Sequence, residues 1–210
     1  MTASTRYGPV DLHARAAAEG IDLSAALMDL RALYADVDAR NERNTRNLAL
    51  PCHQGCSACC EDSVLVTQLE FYGVWDHLQR HLDAVTLDRI IRDGLALYLR
   101  HRDVIEALSR PPPVGQVDHT RLLRGVSYRC PVLNEQGACL AYPMREMLGR
   151  LFGSSFNDER GIYGCDLVGI HLAGKTLKLV QARPMATLVH SLPLTTGQQL
   201  YPFYVHALYS

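Results

Sequence analysis

Between residues 23 and 37 the apolar side chains Leu23, Leu27, Leu30, Leu33, Tyr34 and Val37 return every three or four positions. That is the period of one helical face, and it predicts a long helix over 23–48. The later stretch NERNTRN is polar and reads as solvated. Pro51 ends the helix, because the residue before a proline is pushed out of the helical region. After a short apolar run at 64–66, Thr67 and Glu70 have the spacing of a capping box. The helix they start carries Leu69, Tyr72, Trp75 and Leu78 on its apolar side. A third helix is predicted over 87–108 from Leu87, Ile90, Ile91, Leu97, Tyr98, Val104, Ile105 and Leu108, with Gly94 weakening it slightly.

Pro111, Pro112 and Pro113 break that pattern, and the chain to about 130 reads as a connecting segment. Residues 130–140 read as a small hairpin turning at NEQG. A second hairpin is predicted around Ala173-Gly174-Lys175, joining GIHL to TLKLV. A last helix is expected over about 197–209, where Leu200, Tyr204 and Leu208 are spaced by four. The fold class is therefore mainly α with short β-hairpins around a cysteine-rich metal site, a small α+β fold. The 210 residues set an expectation of a single domain, with a helical N-terminal extension over 1–49 and a cysteine-cluster core over 50–168.

Composition changes this picture little. Apolar residues make up 48% and charged residues 20%, an ordinary globular balance. A net charge of −1 gives no basic footprint for nucleic acid. No run of 18 apolar residues predicts a membrane span. The N-terminus lacks the apolar core of a signal peptide, so the expected compartment is the cytoplasm. The partner, protein or small molecule, is not named by the sequence.

The cysteines change it most. There are seven, at 52, 56, 59, 60, 130, 139 and 165. An odd number in a reducing compartment argues against a disulfide framework. The first four form Cys52-x3-Cys56-x2-Cys59-Cys60, and Gly55 lets that loop wrap. Thiolates at such short spacing suit an iron–sulfur cluster or zinc. Cys130 and Cys139 are brought together by the hairpin, and Cys165 lies beyond. Buried structural cysteines are the plain alternative, most of all for Cys165. Adjacent Cys59 and Cys60 do not easily serve one tetrahedral ion, whereas they can serve different atoms of a cluster. Iron–sulfur is therefore favoured over zinc.

The combination of this loop, Cys130-Pro131, and Gly137-Ala138-Cys139 with Tyr142 and Arg145 resembles the YkgJ-type cysteine-cluster proteins over roughly residues 50–168. Their domain is described as zinc- or iron-chelating, and the related flagellin lysine N-methylases have a similar cysteine pattern. The resemblance implies a metal site on Cys52, Cys56, Cys59, Cys60, Cys130, Cys139 and Cys165, with redox or group-transfer chemistry. This chain departs from the pattern in two places: Glu146 stands where the family has proline, and Gly149 where it has cysteine. The spacing Cys52-x3-Cys56-x2-Cys59 is also that of radical-SAM enzymes. Ala58 replaces their aromatic, and the helix-rich flanks do not supply their partial barrel.

Other residues have simpler readings. His77 and His81 share a helix face, which reads as solvated surface. His53 reads as a neighbour of the cysteine site and Glu70 as a cap. Arg145 and Arg150 either bind an anion or form surface ion pairs.

Overall fold

A computed structural model describes residues 5–52, 55–61, 63–109, 123, 126–157 and 161–210. The protein is mainly helical with two small sheets. Aspartates start three of the first helices. Asp11 accepts the Ala14 amide at the head of α1 (Leu12–Ala18), and Asp22 accepts the Ala25 amide at the head of α2 (Leu23–Thr45). Asp83 accepts the Val85 and Thr86 amides before α4 (Ala84–Arg100). Each such bond satisfies a donor that the helix itself leaves open.

Helix α3 (Gln68–His81) is the centre of the molecule. Its capping box forms as the spacing predicts: Thr67 Oγ1 accepts the Glu70 amide, and Glu70 reaches back to the Thr67 amide. The helix is buried almost all round, from Leu69 through Asp76 and again at Leu78, as a helix packed on several sides must be. On one side lies the Leu23, Leu27, Leu30, Tyr34 and Val37 face of α2. Gly73 permits this close approach. A Cβ there would meet Met144 Cε at 2.8 Å and Leu30 Cδ2 at 3.3 Å. On another side Phe71 stacks on Trp75 and Tyr204, with the Tyr201 ring edge-on.

The C-terminal segment closes the core. Strand β1 (Leu65–Thr67) pairs antiparallel with β5 (Gln198–Leu200), Leu65 opposite Leu200. The final helix, Tyr201–Tyr209, begins with Pro202 in its first turn, where the missing amide costs nothing. It crosses α4 at Gly94, where a Cβ would lie 2.9 Å from Val205 Cγ1. Gly94 therefore makes room for a helix crossing, which local propensity does not reveal. The second sheet has the order β3-β2-β4. Strand β2 (Ser155–Phe156) pairs antiparallel with β3 (Ile162–Tyr163) and parallel with β4 (Val180–Gln181).

Several expectations need correction. The predicted third helix is two: α4 stops at Arg100, the His101 amide closes onto Leu97, and α5 runs Arg102–Ser109. The second hairpin does not form. GIHL belongs to a helix, Asp166–Leu172, and only Val180–Gln181 of the following segment is strand. The long first helix ends at Thr45, and its polar half is not all solvated. Asn41 is buried and donates to the Arg150 carbonyl. The expected hairpin at 130–140 reduces to one bridge, Leu133 to Cys139, around a turn held by Asn134. The prolines at 111–113 and the connecting segment read there lie outside the described residues. No helix among the described residues is long and apolar enough to cross a membrane.

Candidate functional site

Two separate stretches of chain bring cysteines to one cavity, and a third completes its wall. The first leaves α2, turns at Ala49 (φ 45°) and Gly55 (φ 95°), and enters a 3-10 helix at Ala58–Glu61. It carries Cys52, Cys56, Cys59 and Cys60. The second is the turn of chain holding Cys130 and Cys139. The two are tied directly, because the Cys130 amide donates to the Cys60 carbonyl at 2.8 Å. The turn tip also rests on the loop. Gly137 has φ +79°, and a Cβ there would lie 3.2 Å from Ser57 Oγ. The third stretch, just before and along the helix Met147–Leu151, contributes Arg145, Glu146 and Gly149 to the wall.

The cavity encloses about 730 Å³. Six of the seven cysteines line it: Cys52, Cys56, Cys59, Cys60, Cys130 and Cys139. Much of the remaining wall is apolar, including Val64, Val66, Val132 and Leu148. Cys165 is not in the lining. It precedes the helix Asp166–Leu172 and lies close enough to Cys52 to raise its pKa. Cys52 is seated against Gly153, where a Cβ would come within 2.6 Å of its Sγ. No disulfide forms among the seven cysteines.

Cys52, Cys60, Cys130 and Cys139 hold their protons tightly. Burial pushes Cys52 up to about 11, with the charges of Cys56 and Cys165 adding to it. Burial pushes Cys130 up to about 12 and Cys139 up to about 11, in each case against a backbone amide that favours the thiolate. Cys60 is raised by a hydrogen bond with Cys59 and then by burial. Several thiolates in one low-dielectric cavity repel one another, so they do not all ionise without a cation. A metal held by such thiols would require them as thiolates and would release their protons.

Other polar groups complete the wall. Arg150 is not a surface ion-pairing residue. Its guanidinium is almost fully buried, lies over the Tyr34 ring at 3.8 Å, pairs with Asp38, and donates to the Pro143 and Arg145 carbonyls. Those contacts tie the segment before the Met147–Leu151 helix onto α2. Arg145 lies over the Tyr142 ring at 4.2 Å and faces Asp38 at 3.6 Å. Glu70 does more than cap α3, since it also accepts from the Tyr34 hydroxyl and the Met147 amide. Burial raises the Glu146 carboxyl above the ordinary carboxylate range. At Gly149, where the resemblance places a cysteine, a Cβ would lie 2.7 Å from Glu146 Oε1. The Tyr201 hydroxyl is buried without a hydrogen-bond partner among the described residues, and burial followed by the charges of Cys130 and Cys139 raises it.

Among the described residues, no three His, Cys, Asp or Glu side chains stand close enough to hold one metal ion. His77 and His81 stack at 4.2 Å on α3, and neither is among the residues that line the cavity. His53 lies outside the described residues. Sequence reasoning missed Tyr201 and did not give Glu146 a role. Tyr201 reaches the site only through the β1–β5 pairing, which leaves no short-range signature. Glu146 carried a local signal, a carboxylate between two arginines, but nothing showed that it faced the cysteines.

No family model matches this chain, and neither a curated protein nor a solved structure matches it.

Proposed function

We propose that this protein binds an iron–sulfur cluster in the cysteine cavity and uses it for redox or group-transfer chemistry. The observation that carries the proposal is the lining: six thiols from two distant stretches of chain face one largely apolar cavity. Soft thiolates are the donors that such clusters take. The ligands are drawn from Cys52, Cys56, Cys59, Cys60, Cys130 and Cys139, with Cys165 beside Cys52. The resemblance to the YkgJ-type proteins, read from the cysteine pattern, points the same way.

The arrangement of donors favours a cluster over a single zinc ion. Structural zinc needs four ligands about 2.0–2.3 Å from one point. A cluster distributes its thiolates over several metal atoms, so they can stand further apart around a cavity. Adjacent Cys59 and Cys60 suit that distribution. The second reading, a non-catalytic scaffold with structural zinc, rests on the same thiols. The two differ in colour. Protein purified without oxygen is expected to be brown, with broad visible absorption that bleaches on reduction. A colourless protein holding zinc would replace the first reading with the second.

A further inference from the structure

Tyr201 brings to the cysteine cavity a polar atom that the fold does not use. The residue is only 9% exposed and lines the cavity, and its hydroxyl has no hydrogen-bond partner among the described residues. The ring is firmly held. It stands edge-on to Phe71 at 4.9 Å and tilted against Trp75 at 6.1 Å, and neither of those residues lines the cavity. The groups whose charges act on the hydroxyl, Cys130, Cys139, Glu146 and Tyr128, all do. The ring is therefore anchored in the core with its hydroxyl on the cavity side. The β1–β5 pairing just before it and Pro202 just after it fix the backbone at this point. A buried hydroxyl left unpaired destabilises a fold, and a phenylalanine would fill the same space without that cost.

The cavity around the hydroxyl has the character of a small-molecule site. Its volume of about 730 Å³ lies within the range of roughly 300–1,000 Å³ typical of such sites, which are mostly apolar with a few polar groups. Its charges are compensated from within. The guanidiniums of Arg145 and Arg150 both face Asp38, burial favours the neutral form of Glu146, and Glu42 is exposed to water. An ionic ligand therefore finds no uncompensated charge inside the wall. Burial also keeps the Tyr201 hydroxyl protonated, so it is a hydrogen-bond donor.

We propose that the cavity takes a neutral, largely apolar organic molecule whose carbonyl oxygen accepts a hydrogen bond from the Tyr201 hydroxyl. This names a substrate class for the redox or group-transfer chemistry given above and rests on that reading for its chemistry. The binding itself needs no metal.

The test is fluorescence titration of the metal-free full chain, wild type and Tyr201→Phe, with two neutral naphthalene probes. Prodan carries a ketone whose emission reports hydrogen bonding at its oxygen, and N-phenylnaphthylamine has no carbonyl. Wild type is expected to bind both. Tyr201→Phe should bind prodan about two- to tenfold less tightly, the range of one hydrogen bond, with emission moved further to the blue. Its affinity for N-phenylnaphthylamine should not change. Its melting temperature should be no lower than that of wild type, because the lost hydroxyl pairs with no other residue described. Prodan that fails to bind, or that binds both chains with equal affinity and emission, would overturn the proposal. So would an equal loss of both probes or a clear drop in melting temperature, since either would assign the hydroxyl to the fold. A chain that shows the expected prodan difference but takes up neither iron nor sulfide on anaerobic reconstitution would overturn the cluster and leave the ligand site standing.

Discussion

The amide of Cys130 donates to the carbonyl of Cys60 at 2.8 Å, joining residues 70 positions apart through the backbone. The first cysteine loop and the downstream turn are thereby held as one wall. Gly137 strengthens the same junction, because its positive φ lets the turn tip lie against Ser57.

Gly137→Val should loosen that junction. A β-branched residue at φ +79° is strained by roughly 1–2 kcal/mol, and its Cβ also presses on Ser57. The expected result is a lower iron content with far-ultraviolet circular dichroism unchanged. An unchanged iron content would mean that the two stretches of chain do not need each other.

The helical core and the cysteine site should separate under mutation. Leu30 is fully buried between α2 and α3, so Leu30→Ala is expected to destabilise the fold by about 2–5 kcal/mol. Cys56→Ser lies outside that core and should abolish metal binding while moving the melting temperature of the metal-free chain little. Global collapse of Cys56→Ser would instead favour a structural zinc, whose binding and folding are coupled.

Arg150 should matter to the fold, although its sequence context suggests only an anion site or a surface ion pair. Arg150→Met leaves the Pro143 and Arg145 carbonyls without their donor, at a cost of roughly 1–3 kcal/mol for each that stays buried. Chemical denaturation measures this directly, and a change below roughly 0.5 kcal/mol, the range of an ordinary surface substitution, would contradict the structural role.

A pH effect is expected far from the cysteines. Asp88 accepts the Tyr7 and Arg6 amides and pairs with Arg92, contacts that hold its carboxyl below the ordinary range. A depressed carboxylate stabilises the folded state above its unfolded pKa of about 3.9. That contribution is lost as pH falls through the lower folded value. Hydrogen exchange at the Arg6 and Tyr7 amides, corrected for intrinsic rates, should therefore accelerate on acidification and already be fast at neutral pH in Asp88→Ala, which removes the acceptor. Equal protection in wild type and variant at pH 7 would remove Asp88 from this role.

What could be read from sequence was local. The α2 face and the Thr67–Glu70 box are set within a few residues, and both form where the spacing places them. The break at His101 interrupts an apolar pattern that continues into α5 and so left no trace in it. GIHL is too short to fix its period, because the alternation Ile170-His171-Leu172 fits strand and helix alike. The cysteine loop announced a thiol-rich site through its spacing alone. Its oxygen-bearing wall did not show, since Tyr201 arrives through a strand pairing between residues more than 130 apart and Glu146 through the Arg150–Asp38 tether.

Iron and acid-labile sulfide, measured together on full-length protein isolated without oxygen, test the central claim most directly. Near-equal, stoichiometric amounts of both are expected, and both should fall in Cys56→Ser and in Cys130→Ser, because thiols from both stretches are needed. Protein that holds zinc without sulfide, or neither metal, would contradict an iron–sulfur cluster in the cavity.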